Sequence, residues 1–167
     1  MTTLTGSNAA KLLKAVISDY NYWGESESDS PLVIKRTKSV FDEKKILSLD
    51  ASARRKATQT EAYKVPERRI ATKTLDEVFQ PLVVSSLSEL TNTAPSVVDG
   101  TAAIENLLSP AEAVEYYVQL YSAFKQLSEP KVYYVEDSEG DPYTGLFIMG
   151  SSADGETVYA QGLLTQT

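Results

Sequence analysis

Cysteine and histidine are both absent from the 167 residues. Without cysteine there are no disulfides, no thiol catalysis and no thiolate-bound metals. Without histidine there is no imidazole base, no neutral nitrogen ligand for a metal and no histidine-based triad. Any catalysis would have to run on carboxylates, lysine, tyrosine or serine, so an enzyme is not the expected reading. No apolar run approaches the roughly 20 residues that cross a bilayer. The N-terminal M-T-T-L-T-G-S-N has no basic segment leading into an apolar one, so no signal peptide is expected. These absences point to a soluble, cytoplasmic, non-enzymatic protein without a cofactor, a membrane partner or a metal site of its own.

Against these absences, 42% of the residues are apolar and ten are tyrosine, enough for one globular domain with a real core. The net charge of −7 is unevenly spread. Residues 35–73 hold twelve of the sixteen Lys and Arg and five of the 23 acids, a local charge of +7 that leaves −14 elsewhere. An acidic body repels nucleic acid and attracts basic proteins. The basic segment lacks interleaved aromatics beyond Tyr63, so direct nucleic-acid binding is not expected and the segment reads first as a solvated polar insertion.

The only tryptophan, Trp23, opens the stretch Y-W-G-E-S-E-S-D-S-P, residues 22–31. Gly24 marks a turn. In an extended chain Glu25, Glu27 and Asp29 would point the same way, since successive side chains alternate. Three such carboxylates need water, a cation or a basic partner. A solvated acidic turn satisfies this, and so does a docking site.

Taken in order, residues 8–20 carry a helical pattern. Ser7 or Asn8 can cap it, and Leu12, Leu13, Val16, Ile17 and Tyr20 share one face. A short strand follows from about Leu32 to Lys38. Residues 39–50 fit either a strand or a helical turn, and the polar run Ala51 to Arg69 reads as a long loop. T-L-D-E at Thr74 is a capping box that starts a helix, with Pro81 limiting or kinking it. Leu82 to Leu90 reads as a second short helix, and T-N-T-A-P-S-V-V-D-G as loop. Ala102 to Leu108 fits one or two helical turns. The strongest pattern is Pro110 to Leu127, capped by Ser109 with Glu112 closing a second box. Its stripe Val114, Tyr117, Val118, Leu120, Tyr121, Phe124 and Leu127 is core, and Glu129-Pro130 stops it. Three strands follow: Val132 to Glu136, Thr144 to Met149 and Thr157 to Leu164. The second is apolar on both faces and so central, and a hairpin at Asp154-Gly155 joins it to the third. The expected fold is an α+β layered domain with a mostly antiparallel sheet and a C-terminal three-stranded meander after a long helix.

Three stretches resemble the nuclease A inhibitor family: the first helix running into Y-W-G-E-S-E-S-D-S-P, L-D-E-V-F at Leu75 to Phe79, and the run from Val114 onward with E-P-K-V-Y, L-F-I-M-G, S-A-D-G-E and L-L-T-Q-T. Together they cover a little over half the chain, and their order carries the resemblance more than any single motif. It implies an αβα sandwich that binds one sugar-non-specific, metal-dependent nuclease in a 1:1 complex and blocks its active site. The family glutamate that reaches the nuclease's metal falls on Glu25, and the family's C-terminal threonine on Thr167 with its carboxylate. Ser26 and Glu27 flank the first contact, and Trp23 and Gly24 would support it. Residues 80–109 have no tryptophan to match the family's further contacts, and about 44–69 reads as an insertion relative to shorter members. Two other readings stand beside this one. One is an enzyme or metal binder built on Glu25, Glu27 and Asp29. The other is a protein- or nucleic-acid-binding module that keeps the inhibitor fold but has a changed partner.

Overall fold

The computed structural model describes residues 2–26, 30–60, 62–137 and 140–165. Thr5 caps the first helix, α1 (Gly6–Asp19), ahead of the expected Ser7 or Asn8, and its hydroxyl accepts from Asn8 N. Ala9, Ala10 and Leu13 enter the core, whereas Leu12, expected on the same face, stays 36% exposed. Small alanines let the helix sit close to the layer below. The edge strand β1 (Val33–Thr37) follows as expected.

About half of the long loop expected from Ala51 to Arg69 is regular structure, and of the two readings of residues 39–50 the helical one holds from Glu43 on. Helix α2 runs Glu43–Thr58 and strand β2 runs Arg68–Lys73. Asp42 caps α2 by accepting from Lys45 N, and Gln59 closes it in the left-handed region at φ 52°. The buried face of α2 is Ile46, Asp50, Ala51 and Arg54. Two of these positions hold opposite charges, so no apolar stripe announces the helix.

Thr74 and Glu77 form the expected capping box at the start of α3 (Leu75–Val98). The helix does not stop at Pro81 but continues through Pro81 and Pro95 over 24 residues, absorbing both the expected short helix and the expected loop. A proline inside a helix costs about 3 kcal/mol or more. Burial of Leu75, Val78, Phe79, Leu82 and Ser86 along one face offsets that cost. A 3-10 turn at Ile104–Leu107 leads directly into α4 (Leu108–Lys125). The Ser109 cap and its box therefore do not form: Leu107 is the cap residue and makes no side-chain bond. Pro110 still lies in the first turn, where a missing N–H leaves no bond unmade. Val118, expected in the core stripe, is 44% exposed, while Ala113, Tyr116 and Ala123 are buried in addition to Tyr117, Leu120 and Phe124. The helix ends before Glu129-Pro130, which instead lie at the irregular start of β3 (Ser128–Asp137).

With β4 (Tyr143–Ser151) and β5 (Thr157–Thr165) the sheet has the order β1-β5-β4-β3-β2, antiparallel at every pairing. β4 is central, as its run Leu146–Ile148 requires. Alternation sorts the core into two layers. Leu146, Ile148, Val158, Ala160 and Tyr134 face α1, α3 and α4. Phe147, Tyr159 and Val135 face Ile46 of α2. The result is an αβα sandwich with the C-terminal meander at its centre.

The α2 layer is joined to the sheet by buried charges. Arg54 Nε donates to Asp50 Oδ2 at 2.8 Å and Arg54 Nη2 to Val135 O at 2.9 Å. Arg68 Nη1 donates to Asp50 Oδ2 at 2.7 Å, and Arg54 Nη1 lies 3.2 Å from Asp141 Oδ1. Tyr63 OH donates to Asp141 Oδ2 at 2.5 Å. Gly145 makes this approach feasible, since a Cβ there would fall on Asp50 Oδ1 and come within 3.1 Å of Val135 Cβ.

Candidate functional site

The chain leaving α1 is pinned where the acidic stretch begins and ends. Asn21 Nδ2 donates to Leu32 O at 3.0 Å, and Leu32 N donates to Asn21 Oδ1 at 2.7 Å. Tyr116 OH also donates to Asn21 Oδ1, at 3.4 Å. Between these points Ser26 N donates to Trp23 O at 3.1 Å, closing a tight turn over Gly24 and Glu25. The backbone at Glu25 is therefore not extended, and the simple alternation of the three acids does not hold at its first member. Gly24 N donates to Tyr117 OH at 2.8 Å, and a Cβ at Gly24 would lie 2.9 Å from that hydroxyl. Only glycine permits this approach without displacing a buried ring.

Glu25 is exposed, yet its carboxylate is held from below. Trp23 Nε1 donates to Glu25 Oε1 at 3.0 Å and Tyr134 OH donates to the same oxygen at 2.8 Å. Both donors are anchored. Trp23 is fully buried and meets Phe79 and Tyr117 edge to face, with centroids 5.7 and 5.6 Å away. Tyr134 stands on β3, 8% exposed, with Lys73 Nζ 5.5 Å from its ring centre. Burial, then the neighbouring Glu25 charge, pushes the Tyr134 hydroxyl far above the ordinary phenol value, so it stays a donor at any physiological pH. Trp23 thus belongs to the core by its ring and to the turn by its N–H.

Ser26 turns inward and is 6% exposed. Its hydroxyl lies 2.6 Å from Ser30 Oγ and accepts from Thr165 N at 2.9 Å. The structure thus brings Trp23, Gly24, Glu25 and Ser26 together with the end of β5. Glu27, Asp29 and Thr167 lie outside the described residues. Among the described residues, no three His, Cys, Asp or Glu side chains converge as a metal site.

Sequence reasoning missed Tyr134, Tyr117 and Asn21. Tyr117 was placed in the core stripe by its helical spacing, which is correct for its ring and silent about its hydroxyl. Tyr134 sits in V-Y-Y-V, where alternation assigns it a face but not a partner about 110 residues away. The abundance of tyrosine in a chain without histidine was the available signal. No family model and no curated protein matches the chain. The functional reading rests on the residues themselves.

Proposed function

We propose that this chain is a protein inhibitor of a sugar-non-specific, metal-dependent nuclease, of the nuclease A inhibitor kind, and that it presents Glu25 to the partner's catalytic metal. The observation that carries the reading is the pair of hydrogen bonds from Trp23 and Tyr134 to one oxygen of an exposed carboxylate. A nuclease site offers a Mg²⁺-like ion that takes hard oxygen ligands, in a groove that expects phosphates. A carboxylate already held in place loses little freedom on meeting such an ion. Trp23, Gly24 and Ser26 hold the turn, and Glu27 flanks the contact. The chain occupies the site and does no chemistry of its own.

Thr167 is proposed as the second acid. β5 ends beside the turn, where Thr165 N meets Ser26. The N-terminal segment lies at the other end of β5: Leu4 O accepts from Ala153 N, and Gly6 N donates to Asp154 Oδ1. An extension after Thr167 is expected to lower potency, while an N-terminal one leaves it unchanged; equal potency of the two tagged forms would count against Thr167.

The direct test mixes the protein with a Mg²⁺-dependent non-specific nuclease and follows residual DNA cleavage. Stoichiometric loss is expected, and full cleavage at micromolar excess of the protein would overturn the reading. Glu25→Gln keeps an oxygen for Trp23 and Tyr134 but removes the charge. It should weaken inhibition by on the order of 2 kcal/mol or more, and unchanged potency would take Glu25 out of the contact.

A second reading, the inhibitor fold with a changed partner, has one observation in its favour. Arg55 and Lys56 stand exposed on α2, within the basic segment of the sequence. Nucleic-acid binding that falls steeply with salt and is lost in an Arg55→Ala, Lys56→Ala variant would favour it.

A further inference from the structure

A cleft of about 470 Å³ opens beside the Glu25 turn, where α3 and α4 meet the chain leaving α1. Its walls include Tyr20, Tyr22, Gly24, Ser86, Glu89 and Tyr117, and among the described residues no Lys or Arg lines it. Tyr20 and Tyr22 stand edge to face with centroids 6.3 Å apart, and Tyr22 is 39% exposed. The surrounding helices reinforce one sign of charge: residues 74–127 hold seven acids and the single base Lys125. Burial first, then Tyr22, then Glu112 and Glu89, raise the Tyr20 hydroxyl above its ordinary value, which places both carboxylates within electrostatic reach of the ring.

Each class of ligand can be weighed against this lining. An anion would meet Glu89 with no base to receive it. A purely apolar group would leave Glu89 and the serine and tyrosine hydroxyls desolvated. A hard metal ion needs several oxygen ligands at once, and among the described residues Glu89 is the one carboxylate in the lining. A large organic cation suits it, because tyrosine faces attract a guanidinium or ammonium and a nearby carboxylate completes the pairing. The volume lies at the low end of the roughly 300–1,000 Å³ of ligand clefts.

We propose that this cleft is a receptor for a basic side chain, arginine or lysine, of the protein that docks on the Glu25 turn. The cleft shares Gly24 with that turn, so a partner contacting Glu25 borders it. The identity of the partner rests on the inhibitor reading; the chemistry of the cleft does not.

The test uses the full chain alone. ¹⁵N-labelled protein is titrated with N-acetyl-arginine amide and, separately, with the uncharged N-acetyl-norleucine amide. Saturable shifts confined to Tyr20, Tyr22, Gly24, Ser86 and Glu89 are expected with the arginine compound only, with a dissociation constant on the order of millimolar. Glu89→Gln and Tyr22→Leu should each weaken that binding by about fivefold or more while the thermal melt stays unchanged. No saturable shift up to roughly 50 mM, equal shifts with norleucine amide, or wild-type affinity in both variants would overturn the proposal. No nuclease is present in this titration. A failed cleavage assay therefore leaves the cleft standing, and a failed titration leaves inhibition standing.

Discussion

At the scale of single residues, Glu25 combines exposure with restraint. Its two donors come from opposite sides in sequence, Trp23 two residues before it and Tyr134 on β3. If the restraint aids binding, Tyr134→Phe should weaken nuclease inhibition by about 1 kcal/mol, the value of one such bond, while leaving the unfolding midpoint nearly unchanged. A potency equal to wild type in the cleavage assay would mean that Trp23 alone orients the carboxylate. Glu25 stands out in the sequence through its place beside the only tryptophan and through the resemblance of that stretch to the nuclease A inhibitor family. The tyrosine that holds it was not, because a hydroxyl's partner depends on the packing of β3 beneath the turn, and no local pattern encodes that.

At the scale of elements, α2 is the instructive case. Its first half reads as either strand or helical turn and its second half as loop, because Asp50 and Arg54 occupy two core-facing positions one turn apart. Their charges cancel inside the protein, so periodicity counted them as surface. Arg54→Met removes the partner of a buried carboxylate and should cost about 3 kcal/mol, read from the urea midpoint. The Asp50→Leu, Arg54→Met double variant should recover part of that loss, since both charges of the pair are gone, while Arg68 and Asp141 lose an ion-pair partner but keep hydrogen bonds to Leu47 O and from Tyr63 OH. A single variant as stable as wild type would show that Arg68 alone neutralises Asp50. The meander, by contrast, was readable strand by strand, because period-2 alternation and the Asp154-Gly155 turn are local signals. α3 falls between: its capping box was visible, but its passage through Pro81 depends on a buried face that only the assembled layer supplies.

At the scale of the whole molecule, the absence of histidine leaves no side chain that titrates in the ordinary range between pH 5 and 8. The pH response of the buried tyrosines lies at the alkaline side. Burial raises the hydroxyls of Tyr63 and Tyr117 to about 12, and those of Tyr116 and Tyr134 further still. Because these folded values exceed the unfolded value, their contribution is fully present below about pH 10 and is lost as pH rises through the folded values. Ionisation of the last of the ten tyrosines should thus coincide with loss of helical circular dichroism, and complete tyrosinate formation in a still helical chain would contradict it. The bond between Ser26 and Thr165 joins residues 139 positions apart, and β5 is the strand that connects β1 to the rest of the sheet. On a ribosome the Glu25 turn therefore has no platform until β5 has emerged. A nascent chain carries the acidic motif but not the held turn, so the proposed capacity to engage a partner would arise only once synthesis has passed β5.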